Sequence, residues 1–139
     1  MLQYAGFIED SADFYISDCA FATLEEQLTY RFKVEFKLPK WLILPVANIW
    51  LKLRDGFWIN DISPLSATQN IIKPILFIHS KPDLYIPYSH SLQLYEAKTH
   101  GKRELFLAEN GAHAMNLNDN KVEYILAIEL FFRNIIFEN

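Results

Sequence analysis

Between Pro74 and Ser80 the chain reads Ile75-Leu76-Phe77-Ile78-His79, four consecutive large apolar residues and then a histidine. A run this short, opened by one proline and followed by another at Pro82, is strand length rather than helix length. Because it does not alternate with polar residues, both of its faces must be buried, the condition of a strand inside a parallel sheet covered by helices. Two further β-prone stretches stand on either side, Ala12 to Ser17 (ADFYIS) and Glu104 to Ala108 (ELFLA). Helical patterns separate them, so the order is strand, helices, strand, helix, strand, helix. That alternation predicts an α/β fold of about three parallel strands with flanking helices.

Local signals set the helices. Met1 to Gly6 reads as the last turn of a helix stopped by its glycine. Thr23-Leu24-Glu25-Glu26 has the spacing of a capping box and opens a helix to about Phe36. Pro39 breaks it, and a second, strongly apolar helix is expected over Trp41 to about Leu53. Asp55 to Asn60 reads as loop, and Ser63-Pro64 places a capping side chain before a proline suited to a first helical position. Pro87 starts a helix that ends near Gly101. Asn120 with Glu123 reads as a capped start for a last helix, with Ile125, Ile128, Phe132, Ile135 and Ile136 at helical spacing.

Several function classes drop out on composition. At 139 residues there is room for one domain. A content of 51% hydrophobic side chains excludes an intrinsically disordered chain. Thirteen basic against seventeen acidic residues give a net charge of −4 and a pI near 5.5, and the densest basic cluster is Lys102-Arg103. A surface that follows nucleic-acid phosphates needs more than that. Cys19 is the single cysteine and has no internal disulfide partner, which fits a reducing compartment. The start, MLQYAGFIED, lacks the basic region and small-residue cleavage site of a signal peptide. A cytoplasmic protein is the expectation. Eleven residues from Trp41 to Leu51, interrupted by Pro45, rise about 16 Å as a helix and do not span a ~30 Å hydrocarbon core. They read as a buried or lid helix, or as one lying on a membrane surface.

In parallel sheets of this kind, functional residues gather in loops past the carboxyl ends of the strands. Three segments qualify: Asp18-Cys19, Ser80 to Pro87 and Glu109 to Met115. The second carries Asp83 and the third His113, thirty residues apart and leaving neighbouring strands at one rim. A carboxylate so placed can accept an imidazole N–H, set its tautomer and stabilise the imidazolium formed on proton uptake. Singly, each residue has an ordinary reading: a turn-opening aspartate and a surface histidine. Their joint placement favours an acid–base pair.

The run DISPLSATQNIIKPILFIHSKPDLYIPYSHSLQLYEA, followed by GKRELFLAENGAHAMNL, resembles the carboxyl-terminal half of bacterial α/β-hydrolases. The nearest likeness is to serine esterases and the serine aminopeptidase (S33-like) group. ISDCAFATLEEQLTY resembles the strand and helix that follow the nucleophile there, so the likeness spans nearly the whole chain. The resemblance implies Asp83 as triad acid, His113 as triad base, cap-like helices over about 23–60 and acid- and base-bearing β-α units over about 71–139, within one partial domain, 1–139. It implies an ester or amide substrate and no cofactor.

Two departures qualify it. Ser80 stands where the family has glycine. More seriously, the family's nucleophile sits in a G-x-S-x-G elbow that precedes the acid and the base, and none of Gly6, Gly56, Gly101 and Gly111 opens such a pattern. The nucleophile and the oxyanion-hole loop are expected upstream of residue 1. Cys19 ends a strand on the correct rim but lacks the elbow and reads as structural. Ser89 and Ser91 read as first-turn helix residues. His79, His90 and His100 have no cysteine or carboxylate at metal-ligand sequence spacing, and no phosphate-binding glycine loop is present. The isolated chain is therefore expected to be inactive, and its first strand to offer an open edge either to the missing amino-terminal half or to a second copy. A non-catalytic remnant acting as an interaction module, or one with no selected role, is the alternative.

Overall fold

A computed structural model describes residues 1–137, so the last two positions of the 71–139 unit lie outside the described residues. Three parallel strands, β1 (Tyr15–Asp18), β2 (Ile75–Ser80) and β3 (Arg103–Ala108), form one sheet in the order β1-β2-β3. The register runs from Tyr15 opposite Ile75 and Ile75 opposite Arg103 to Asp18 opposite Ile78 and Ser80 opposite Ala108. All three strands therefore end at one rim. All six residues of β2 are buried, as its unbroken apolar run requires.

Helices cover both faces. Ile75 and Phe77 point into a cluster with Leu2, Ala5, Tyr15, Ala22, Ile71 and Leu94, fed by α1 (Leu2–Phe7), α4 (Pro64–Thr68) and α5 (Ser89–Ala97). Leu76 and Ile78, on the opposite face, meet Phe131 of α7 (Lys121–Phe137). The apolar pattern of that last helix is only partly its buried stripe. Ile128, Phe132 and Ile135 pack half-buried beside the core, whereas Ile125 and Ile136 are exposed and Phe131, one position off the expected spacing, is the fully buried residue. The stripe over β2 runs through Tyr124, Ile128, Phe131 and Ile135, a helical spacing of four, three and four that is offset from the expected one.

Gly6 is not a helix stop. It lies inside α1, where a Cβ would come within 2.0 Å of the Ala67 carbonyl oxygen. Its missing side chain is what lets α1 lie directly on α4. Thr23 caps α2 (Leu24–Arg31), its Oγ1 accepting from Glu26 N–H at 3.2 Å. The reciprocal half of the expected capping box is not what Glu26 does: its carboxylate faces His90 Nδ1 at 3.6 Å. A wider turn, Phe32–Phe36, extends α2 and ends at Lys37 in the left-handed region. Next comes α3 (Lys40–Asp55), with Pro45 inside it and Gly56 as its left-handed cap. None of its residues is buried, and Trp41, Val46 and Leu53 are among its exposed apolar side chains. No described helix is long and apolar enough to cross a membrane.

Candidate active site

Asp83 lies in the loop after β2 and His113 in the loop after β3. Because β2 and β3 are parallel neighbours, both loops emerge at the same rim. His113 Nδ1 is 2.8 Å from Asp83 Oδ2. The carboxylate side chain is fully buried, and the imidazole is about one-third exposed (34%). The other carboxylate oxygen, Oδ1, accepts the backbone N–H of Tyr85 at 2.8 Å and of Ile86 at 2.9 Å. Burial alone would raise the Asp83 carboxyl. The Ile86 amide, the His113 imidazole and the Tyr85 amide outweigh burial and hold it below the ordinary carboxylate value. An ionised Asp83 can only accept, so the proton between the pair belongs to His113 Nδ1, and Nε2 carries the free lone pair.

A second histidine braces the loop from beneath. His79, the last-but-one residue of β2, is fully buried, with Nε2 2.8 Å from the Ile86 carbonyl and Nδ1 2.6 Å from Ser91 Oγ. A carbonyl only accepts, so Nε2 bears the hydrogen and the Ser91 hydroxyl donates to Nδ1. The same Nε2 lies 3.3 Å from Asp83 Oδ2. From the other side α2 clamps the acid loop. Gln27 Nε2 donates to the Tyr85 carbonyl at 2.8 Å, and the Tyr30 hydroxyl donates to that of Leu84 at 3.1 Å. The Arg31 guanidinium stacks 4.1 Å over the Tyr85 ring, whose other neighbour is His113 at a centroid distance of 4.9 Å.

The His113 loop turns at Gly111, with φ of +104°, a conformation that excludes ordinary side chains. Asn120 directly precedes α7, its carbonyl accepting the Tyr124 N–H at 2.8 Å, and its Nδ2 donates to the carbonyl of Asn110 at 2.8 Å and fastens the start of this loop. Past His113, Ala114 is left-handed at φ 60°, and its N–H faces the sulfur of Cys19, itself left-handed at φ 51°. Asn116, on α6 (Asn116–Asp119), is fully buried and bridges Asp18 Oδ1 at 2.5 Å and Cys19 Sγ at 3.1 Å through Nδ2. The Tyr124 hydroxyl reaches Asp18 Oδ2 at 3.2 Å. Cys19 is buried, and that burial pushes its thiol up to about 12. This thiol, the Asp83 carboxylate and a His113 ring nitrogen lie within 4.8 Å of one another.

Both residues singled out in the sequence, Asp83 and His113, thus meet. Sequence reasoning missed His79, Tyr85 and Asn116. For His79 the signal was present in its spacing of four from Asp83, whereas Asn116 is 98 residues from the Asp18 it contacts and left no local trace. Ser80 is buried, with no hydrogen-bond partner for its hydroxyl. Ser91 lies on α5 and serves His79, and Ser89 opens the same helix.

No protein-family profile matches the chain. Over 135 residues it is 48% identical to the uncharacterized Bacillus subtilis protein YqkD, a stretch that is 96% of this chain and 44% of that protein. The chain thus spans less than half the length of the curated relative it matches. Among solved structures, an acylaminoacyl peptidase complexed with Z-Gly-Gly-Phe-chloromethyl ketone superposes over 94% of this chain and 21% of its own length, with a TM-score of 0.64 at 21% identity. A Pyrococcus furiosus esterase does so over 95% of this chain and 48% of its own, with a TM-score of 0.65 at 18% identity. An acetyl xylan esterase from Paenibacillus sp. R4 covers 92% and 41%, with a TM-score of 0.62 at 12% identity. The fold is α/β-hydrolase-like, with three of its parallel strands and their flanking helices in this chain.

Proposed function

We propose that this chain supplies the acid and the base of a Ser-His-Asp hydrolase acting on acyl esters or amides, and that the serine and the oxyanion hole come from a segment outside it. The Asp83 Oδ2–His113 Nδ1 contact of 2.8 Å, with Asp83 ionised and Oδ1 saturated by two amides, carries this reading. In the proposed reaction a serine hydroxyl adds to the acyl carbon and its proton passes to His113 Nε2. Asp83 stabilises the resulting imidazolium through Nδ1–H, and His113 then returns the proton to the leaving group. Water repeats the sequence on the acyl-enzyme. On this reading Cys19 is no nucleophile, since its buried thiol is un-ionised at neutral pH. Helix α3, with its exposed apolar residues, serves as part of a cap over the substrate, and the protein is a cytoplasmic bacterial enzyme.

The open edge of β1 is the proposed docking surface for the nucleophile-bearing segment. A groove of about 400 Å³ lined by Leu2, Ile16, Asp18 and Phe21 lies alongside it, and the 48% identical relative is more than twice as long as the matched stretch. The test is intact-mass measurement of the native protein captured from its cells. A mass well above 16.3 kDa, with a G-x-S-x-G in the added sequence, is expected. That species should hydrolyse p-nitrophenyl acetate and lose turnover on His113→Ala, whereas the 139-residue chain alone should show none. Turnover by the chain alone that His113→Ala removes would overturn the division of labour. Sedimentation of the isolated chain should show self-association through the same edge; a strict monomer would count against it.

A further inference from the structure

We propose that Cys19, Asp83 and His113 form a binding site for a borderline-soft divalent cation of the zinc type, with the fourth position left to water. The three side chains come from the loops after β1, β2 and β3, and one ligand atom from each lies within 4.8 Å of the other two. Tetrahedral zinc with sulfur, imidazole nitrogen and carboxylate oxygen at their usual bond lengths sets its ligands about 3.3–3.7 Å apart. The largest separation therefore closes by about 1 Å, and the 2.8 Å Asp83–His113 contact opens slightly. His113 is one-third exposed on its loop and gives the ion its way in. A mixed thiolate, imidazole and carboxylate set favours zinc over magnesium or calcium, which prefer oxygen alone.

The surroundings are already those of a metal's outer shell. Sγ faces two N–H donors, from the Ala114 backbone and from Asn116 Nδ2 at 3.1 Å, and also the Asp18 and Asp83 carboxylates, so that a thiolate there needs the charge of the cation beside it. Asp83 Oδ1 is oriented by two amides, leaving Oδ2 to coordinate. Asn116 Oδ1 is a buried acceptor without a protein partner, a group that metal-bound water would satisfy. Asp83 faces the imidazoles of His79 and His113. The metal-free thiol keeps its proton, so binding releases one proton per ion from Cys19, while the imidazole moves its hydrogen from Nδ1 to Nε2. Sequence spacing hid the site because its ligands are 64 and 30 residues apart.

The inference does not depend on hydrolysis, and it is tested on the 139-residue chain with Co²⁺ as the probe. Because Cys19 is the single cysteine, any thiolate-to-cobalt charge-transfer absorption in the near ultraviolet reports this site. The expected result is such a band saturating at one equivalent near neutral pH, displaced by Zn²⁺, and an affinity reduced at least about tenfold in His113→Ala. In the unmodified chain, the paramagnetic ion should shift the His113 ring resonances most strongly, a readout that survives if the variant fails to fold. Absence of the thiolate band, or His113 resonances unmoved at saturation, would overturn the site. A loaded site, with hydrogen on His113 Nε2, cannot serve as acid and base, so the two roles belong to the metal-bound and the metal-free chain, and failure of the cobalt test leaves the acid–base reading standing.

Discussion

Replacing Asp83 by asparagine and by alanine separates the two tasks of its carboxylate. Oδ1 holds the amides of Tyr85 and Ile86, and Oδ2 holds the His113 Nδ1–H. Asparagine keeps an oxygen for the amides but turns an NH₂ toward a ring nitrogen that itself bears hydrogen. The ring answers by moving its hydrogen to Nε2, exchanging a charge-assisted bond for a neutral one at a cost of about 1 kcal/mol. Alanine removes all three acceptor contacts and leaves the Ile86 amide unpaired in a buried setting. With orphaned buried groups costing about 1–3 kcal/mol each, the total is about 3–5 kcal/mol.

Urea unfolding followed by circular dichroism at neutral pH should therefore separate the two variants by about 2 kcal/mol or more. Nitrogen NMR should find His113 with hydrogen on Nδ1 in the natural chain and on Nε2 in Asp83→Asn. The folded carboxyl is held below its ordinary value. Its stabilisation is thus present above the unfolded pKa of about 3.9 and lost as pH falls through the folded value. The stability curves of the natural chain and Asp83→Asn should converge in that acid window. Equal costs for the two variants, or an Nε2–H tautomer in the natural chain, would refute the reasoning.

Phe131→Ala should cost about 3–5 kcal/mol, while Ile136→Ala, at an exposed position of the same helix, should cost under about 0.5 kcal/mol; thermal melts of the pair check which stripe of α7 is buried. Gly6→Ala drives a methyl group into the Ala67 carbonyl and should destabilise by about 2 kcal/mol or more, read as a shift in urea midpoint. Burial lowers the His90 pKa against the opposing pull of Glu26, and its Nδ1 accepts the Ala22 N–H at 3.2 Å. Its contribution is accordingly complete above about pH 6.5 and lost as pH falls through the folded value. His90→Asn, which retains an acceptor for Ala22, should flatten stability against pH over that range, and an unchanged slope would sink the assignment.

What the amino-acid order determined by itself was the sheet and the meeting of Asp83 with His113. Ile75 to Ile78 can be buried on both faces only inside a parallel sheet, and parallel neighbours carry their following loops to one rim, so Asp83 and His113 had to leave β2 and β3 on the same side. Tertiary structure alone decided the rest. Gly6, read locally as a helix end, became a helix-packing position because Ala67 approaches it from α4. The buried stripe of α7 runs through Tyr124, Ile128, Phe131 and Ile135 and leaves Ile125 and Ile136 outside, because both spacings are helical and only packing against β2 chooses between them. Asn120 and Glu26, shaped as caps, also face groups across the fold, the Asn110 carbonyl and the His90 ring. The approach of Cys19 to Asp83 and His113 joins three loops that local propensity treats separately. Hydrogen-bond donors and acceptors seek whichever partner burial brings nearest, and a linear pattern records only those neighbours that lie within a turn or two along the chain.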